Sequence, residues 1–408
     1  MSLLHNLVVP ANGCQGGSAA NESLCWRRNV NANDHVGRTA RSGPWRVSPA
    51  PPGAPAGDTG RSEGDGCTIQ PHRLPYEVSG RVVQGVRGIH GVNPGPDVRR
   101  RTRHGQAGFS GEGETVIRIG TAPMNWNNDD LPDLRPKIPI PQVLQEMVEA
   151  GYEGTEYGTG LPSDPKSLKA MLEPHGLALA SMFCWIRLED PDSQRDEIER
   201  AMAIARTLSA MAVRELILGI RGSNQRIALA GRVPPDGSAG LTERQWRTLA
   251  DGIHRLAGMC EPLGVRLAVH PHAGSYVETR GELETLFRVT DPKALGLCVD
   301  AGHLVFGGAD PVEVVETYGP RVWYVHIKDV NPAVLALSQR NGLGFLGALR
   351  SYVFCELGKG SVDMRRFMDA LRRASFSGWM IIEQDTSPLP PLETARTNRR
   401  YLKETFGL

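Results

Sequence analysis

From Val116 onward the chain keeps one rhythm: a short apolar run, then an amphipathic stretch of about 10–20 residues, eight times over. Nothing else constrains the fold as tightly, because strands separated by helix-length crossovers pair in parallel. The runs are VIRIGTAP (116–123), GTEYG (154–158), LALASMFCWI (177–186), ELILGI (215–220), VRLAVHP (265–271), LGLCVDAG (295–302), VWYVHIKDV (322–330) and WMIIEQD (379–385). The stretches between them carry legible helix ends. Thr242 to Gln245 has capping-box spacing, ahead of a helix that closes at Gly264. Another helix, near 165–175, follows Ser163 and Asp164 and stops at Gly176. Eight strand–helix units over residues 116–408 predict an α/β fold, a (β/α)8 TIM barrel, whose usual size is about 250 residues. Two longer inserts, at about 221–241 and 331–360, follow the fourth and seventh strands and so belong to the active face.

Residues 1–115 behave differently. They hold 13 Arg and no Lys, and Gly and Pro crowd stretches such as SPAPPGAPAGDTG. Without helical or strand periodicity, such a segment buries too little apolar surface to offset its chain entropy, so a disordered tail is expected. A basic arm touching polyanions is the alternative, and the segment also fits upstream sequence read as coding. The 116–408 part is expected to be the only folded domain.

The totals exclude several classes. A net charge of +1 gives no general pull toward nucleic acid or membrane. No apolar run nears the roughly 18 residues of a membrane span, and MSLLHNLVVPANG is too short and uncharged for a signal peptide. The seven cysteines are scattered, odd in number and form no C-x-x-C pair, which fits a reducing cytoplasm.

In such a barrel the chemistry sits where the strands end. The fifth strand ends in His270 and His272, and the sixth in Asp300 with His303 after it. The seventh carries His326 and Lys328, and the eighth Glu383, Gln384 and Asp385. Each residue alone has a bland reading: a hydrogen-bonded His, a turn Asp, a surface-paired Glu. Together, four consecutive strands deliver imidazole, carboxylate, imidazole and carboxylate to one rim. That set suits a divalent transition metal rather than an all-oxygen site. His270, Asp300, His326 and Glu383 are the expected ligands, converging on one point. Mn or Co leads, with Zn, Fe or Mg compatible. His272 and His303 are candidates for substrate contact or for support of a metal-bound group. The first strand runs into Asn125, Trp126, Asn127 and Asp130, the second supplies Glu156, and the third Trp185. Asn125 and Trp126, with Glu278 beyond His272, are read as substrate-binding for a polyhydroxylated ligand, which needs an aromatic face and many hydrogen bonds. In GKGSVDMRRF, Gly358 and Gly360 could form a phosphate cradle, but a helix cap is the preferred reading.

Several stretches look familiar. APMNWNNDDLPDL, AGYEGTEYG, HPHAGSYVET, VDAGHLVFGG and VHIKDV resemble the xylose-isomerase-like barrels, a group of sugar isomerases, epimerases and dehydratases that also includes endonuclease IV. Within that group they look most like the inosose (2-keto-myo-inositol) dehydratases of inositol catabolism. The resemblance spans nearly the whole barrel and implies a metal at the positions of His270, Asp300, His326 and Glu383. One departure from the wider group is informative. Its ketose epimerases place a glutamate on the fifth strand, where this chain has His270, so two-base epimerisation loses a partner. Dehydration of a cyclic polyhydroxy ketone, a hydro-lyase reaction, does not need it. Glu383 is then the leading base, with Glu156 and Glu278 in reserve, and Lys328, His272 or His303 would serve as the acid. A keto-sugar isomerase or epimerase is the alternative. An endonuclease-IV-like repair enzyme would need more metal ligands and a basic groove. A non-catalytic sugar-binding barrel and an iron oxygenase complete the range. The expected partner is a small polyol or keto-sugar, and a homo-oligomer is compatible with such a barrel.

Overall fold

The computed structural model describes residues 116–408; the segment 1–115, expected to be disordered, lies outside the described residues. Its strands are β1 (Ile117–Thr121), β2 (Gly154–Thr155), β3 (Ala178–Leu179), β4 (Met182–Ile186), β5 (Glu215–Ile220), β6 (Arg266–Val269), β7 (Leu295–Asp300), β8 (Val322–Ile327), β9 (Asp329–Val330), β10 (Phe354–Cys355) and β11 (Gly378–Ile382). Nine of them form one parallel sheet in the order β3-β2-β1-β11-β8-β7-β6-β5-β4. The two ends of that order, β3 and β4, are halves of the single run 177–186, so the sheet closes on itself through the chain. Backbone bonds carry the closure: Ala180 N–H donates to Thr155 O at 2.8 Å, and Tyr157 N–H to Ser181 O at 3.1 Å. This is the expected (β/α)8 barrel, with its third strand interrupted at Ala180 and Ser181.

The helices begin and end where the residues dictate. Thr242 and Gln245 form a reciprocal capping box at the start of helix Glu243–Cys260, and a short 3-10 turn carries the chain to Gly264 at φ 70°. Asp164 accepts from Ser167 N–H to start helix Pro165–Leu172, and Gly176 ends the following turn at φ 66°. In both cases glycine takes a left-handed conformation that side chains disfavour.

The continuous apolar runs are explained by burial on both faces. One large cluster lies between strands and helices, including Leu216, Leu218, Leu267, Leu297 and Val325. A second fills the barrel's lumen: Ala122, Ala180, Ile217, Ala268, Cys298, Tyr324, Trp379 and Ile381. Side chains alternate along a strand, so a residue two positions past a lumen residue points inward one layer higher. Ala268, Cys298, Tyr324 and Ile381 are each followed, two residues on, by His270, Asp300, His326 and Glu383.

The last strand run but one, 322–330, does not stay in the barrel. It leaves after Ile327, and Asp329–Val330 pairs antiparallel with Phe354–Cys355 inside the insert. The cause is Asp329. Its buried carboxylate accepts from the amides of Val330, Gly358, Gly360 and Val362 at 2.9–3.1 Å. The glycines that resemble a phosphate cradle therefore enclose a carboxylate of the protein itself. A Cβ on Gly360 would lie 2.1 Å from Asp329 Oδ1, so glycine is required there. Asp363, as the preferred reading has it, caps helix Met364–Arg373 by accepting from Arg366 N–H. Helices Pro332–Arg340 and Phe345–Arg350 complete the insert, and Phe345 and Leu349 pack with Phe306 and Phe354 over the rim.

Candidate active site

His270, Asp300, His326 and Glu383 form one continuous chain of contacts. His270 Nε2 lies 3.3 Å from Asp300 Oδ2. Asp300 Oδ2 lies 3.6 Å from His326 Nδ1, which is 3.2 Å from Glu383 Oε2. Strand register produces this: Asp300 and His326 are direct partners on β7 and β8, and Ile381, two residues before Glu383, pairs with His326. All four are at least nine-tenths buried. Glu156 joins from the end of β2, its Oε1 3.0 Å from His326 Nε2 and accepting from Ser181 Oγ at 2.7 Å.

Lys328, two residues past His326, brings an ammonium to the cluster. Its Nζ lies 2.8 Å from Asp385 Oδ1, 3.0 Å from Glu383 Oε2 and 3.6 Å from Asp300 Oδ2. Gly302 makes room for it, since a Cβ there would sit 2.7 Å from the Lys328 side chain. Burial works against the charge on Lys328, but Asp300, Asp385 and Glu383 outweigh it and hold the ammonium well above its ordinary pKa. The reciprocal effect acts on Asp300 and Glu383: burial would raise them, yet neighbouring cations leave both below the usual carboxylate range. Asp385 keeps the burial effect and is pushed up to about 6.

The imidazoles divide into two kinds. Burial lowers His270, His272 (to about 3) and His303, so all three are neutral near pH 7. His326 is raised instead: burial opposes its charge, but Cys298, Glu383 and Glu156 around it prevail. His272 donates from Nδ1 to Ala273 O at 2.8 Å, and His303 Nδ1 accepts from Ala273 N–H at 3.2 Å. The two rings stack with centroids 3.9 Å apart, and Phe345 closes over both. His303 Nε2 is left 3.3 Å from Lys328 Nζ.

The donor set fits a divalent ion. Three groups bring one ligand atom from each member within 4.8 Å of one another: His270, Asp300 and His303; His270, Cys298 and His326; Glu156, His326 and Glu383. His270 Nδ1 is buried with no hydrogen-bond partner, an arrangement that a ring committed only to protein contacts would avoid. Cys298 belongs to no sequence expectation; it sits one layer below Asp300 with a thiol that burial pushes up to about 11.

A cleft of about 850 Å³ opens above the cluster. Glu156, His270, His272, His303, His326, Lys328 and Glu383 form one side of its lining, and Trp185, Arg200, Arg221, Asp129, Asp130 and Tyr157 others. Burial, with Asp129 beside it, pushes Asp130 up to about 6. Three residues expected to bind substrate do not line it. Asn125 is a staple: it donates to Thr121 Oγ1 and Ile382 O at 2.9 Å and accepts from Gln384 N–H at 3.0 Å. Trp126 is a core residue, its indole N–H donating to Glu146 at 2.6 Å. Glu278 is a loop clamp, each carboxylate oxygen accepting one amide, from Gly231 and Gly274, at 2.6 Å. Trp185 is the tryptophan that reaches the cleft. Sequence reasoning passed over Arg221 and left Asp385 unassigned, although both stand at strand ends.

Residues 144–405 match the model of the xylose isomerase-like TIM barrel family. A protein of Geobacillus kaustophilus named inosose dehydratase is 37% identical over 289 residues, 70% of this chain and 94% of that protein. One of the same name from Clostridium botulinum is 34% identical, covering 72% of this chain and 98% of the relative. Among solved structures, the IolI protein with a bound zinc atom superposes with a TM-score of 0.53 at 17% identity, over 70% of this chain and 97% of its own. Among the described residues no helix is long and apolar enough to cross a membrane.

Proposed function

The chain belongs to the xylose isomerase-like TIM barrel family and is an enzyme, and from that premise we propose that it is a metal-dependent dehydratase of a cyclic polyhydroxy ketone such as 2-keto-myo-inositol. The observation that carries the reading is the contiguous set His270, Asp300, His326 and Glu383 beneath a polar cleft. These four would hold a divalent ion, Mn or Co in the first instance, with Asp300 and Glu383 anionic, His270 neutral, and His326 giving up to the ion the proton that its neighbours otherwise favour. When bound, such an ion supplies Lewis acidity that makes the C–H beside a ketone easier to deprotonate.

The chain's own residues account for the proton movements. Glu383, ionised and facing the cleft, takes the proton from carbon, with Glu156 the second carboxylate within reach of the same pole. Lys328, held charged by three carboxylates, gives a proton to the departing β-hydroxyl. One hydrogen and one hydroxyl leave as water, and a carbon–carbon double bond remains. His272, His303 and Phe345 form a wall that keeps bulk water from the reacting edge. The relatives named inosose dehydratase support the substrate class. The four described cysteines are free, which accords with a cytoplasmic setting.

Epimerisation needs a base on each face of the substrate, and at the end of β6 the chain offers His270, already facing Asp300. The test is to incubate metal-reconstituted protein with 2-keto-myo-inositol. An enone-type absorbance that depends on added cation and disappears in His326→Ala is expected; a stereoisomer without loss of water would instead establish the epimerase reading.

A further inference from the structure

The cleft wall carries a guanidinium with one N–H that the protein leaves without an acceptor. Arg221 stands at the end of β5, half-buried, and its Nε is closed off from solvent with no hydrogen-bond partner. Its neighbour Arg200 is treated differently, donating to Trp185 O and pairing with Glu197. The backbone under Arg221 is firmly placed. Its N–H donates to Ile186 O at 2.9 Å, and a Cβ on the next residue, Gly222, would lie 2.0 Å from Gly274 O. Burial lowers the pKa of Arg221, the sign of a charge whose lost hydration is not replaced. A guanidinium N–H shut away from water without an acceptor is costly, and a ligand's oxygens are what would restore the hydrogen bonds of this group.

The charge around it indicates which oxygens. Five carboxylates face the cleft, Asp129, Asp130, Glu156, Glu197 and Glu383, against three cations, Arg200, Arg221 and Lys328. With the divalent ion of the proposed site bound, these charges come to balance and nothing in the cleft recruits an anionic group, whereas a neutral polyol offers hydroxyls that donate to the acids and accept from the guanidinium. We propose that Arg221 is a specificity-determining residue whose guanidinium donates to two adjacent hydroxyl oxygens of the substrate ring, on an edge other than the one that reacts. This inference rests on reading the cleft as a polyol site.

Steady-state kinetics of wild type, Arg221→Met and Arg221→Lys with 2-keto-myo-inositol and a ring-deoxy analogue test it. Arg221→Met is expected to raise KM roughly 10- to 100-fold while kcat falls less than about threefold, the size expected for lost hydrogen bonds to a charged group. Arg221→Lys recovers little of this, because a single ammonium cannot reproduce the planar fork. Wild type should discriminate against the analogue, and Arg221→Met should not. The thermal midpoint of Arg221→Met should not fall, since no protein contact is lost. An unchanged KM, or a lowered midpoint with undiminished discrimination, overturns the proposal. Should wild type not turn over the ketone, the dehydratase reading fails separately. Calorimetry with myo-inositol as probe then decides: binding weakened in Arg221→Met supports the assignment, while equal binding, or none to wild type, overturns it.

Discussion

Replacing Lys328 with methionine removes one positive charge from a buried ionic cluster and keeps the length of the side chain. Its ammonium lies 2.8, 3.0 and 3.6 Å from Asp385, Glu383 and Asp300, and Lys328, Asp300 and Asp385 are each no more than 3% exposed. Removing one partner of such a buried pair typically costs about 3–5 kcal/mol, because the carboxylates are left uncompensated. For a domain of this size each kcal/mol moves the melting midpoint by about 2–3 °C, so Lys328→Met should melt roughly 6–15 °C lower in EDTA. A divalent ion among His270, Asp300, His326 and Glu383 would restore the missing positive charge. It would also no longer be repelled by an ammonium a few ångströms away. Metal affinity should therefore rise in Lys328→Met, and saturating Mn or Co should close part of the gap, as binding at 100 times Kd contributes about 2.7 kcal/mol. Dehydratase activity should fall by about 10²–10⁴-fold if Lys328 is the acid. Differential scanning fluorimetry with EDTA and with metal, beside calorimetric metal titration, reads all of this. An unchanged midpoint in EDTA, or weaker metal binding, would show that Lys328 is not the counter-cation of this cluster.

Other perturbations separate scaffold from chemistry. Glu278→Ala strands the amides of Gly231 and Gly274 and should cost about 3 kcal/mol in urea unfolding; a loss below about 1 kcal/mol would mean the clamp is not needed. Asp329→Ala removes the acceptor of four amides and should destabilise by at least as much, with metal stoichiometry of the remaining folded protein unchanged. Asp130 is pushed up to about 6 in the folded chain from an ordinary 3.8, so the native state binds more protons between these values. Stability should thus fall as pH rises from about 4 to 6, and Asp130→Asn should flatten that part of the curve. Parallel wild-type and variant curves of melting midpoint against pH would contradict the burial argument.

The barrel was legible because a parallel sheet buried on both faces needs continuous apolar runs, and the spacers carry their own caps. Thr242 with Gln245, and Asp164 before Pro165, announce their helices directly. The interruption at Ala180 and Ser181 was not legible, since LALASMFCWI reads as one unbroken run. The cluster followed from strand alternation: a polar residue two positions past a lumen residue has to point up from the barrel's interior. Where side chains reach beyond the strands, alternation says nothing. Trp126 turns to Glu146 on helix Ile140–Ala150, and Glu278 turns back four residues to Gly274, contacts that no periodicity reveals. Arg221 was readable in principle, as a charged residue ending an otherwise dry strand.

The central claim is that the imidazole–carboxylate cluster is a cation site, and a crystal soaked in Mn²⁺ or Co²⁺ and measured at that metal's absorption edge tests it most directly. One anomalous peak is predicted, about 2.0–2.2 Å from one atom each of His270, Asp300, His326 and Glu383, the distances such ligands adopt around a transition metal. A fully loaded crystal with its peak elsewhere, or with these four side chains still held only by one another, would contradict it.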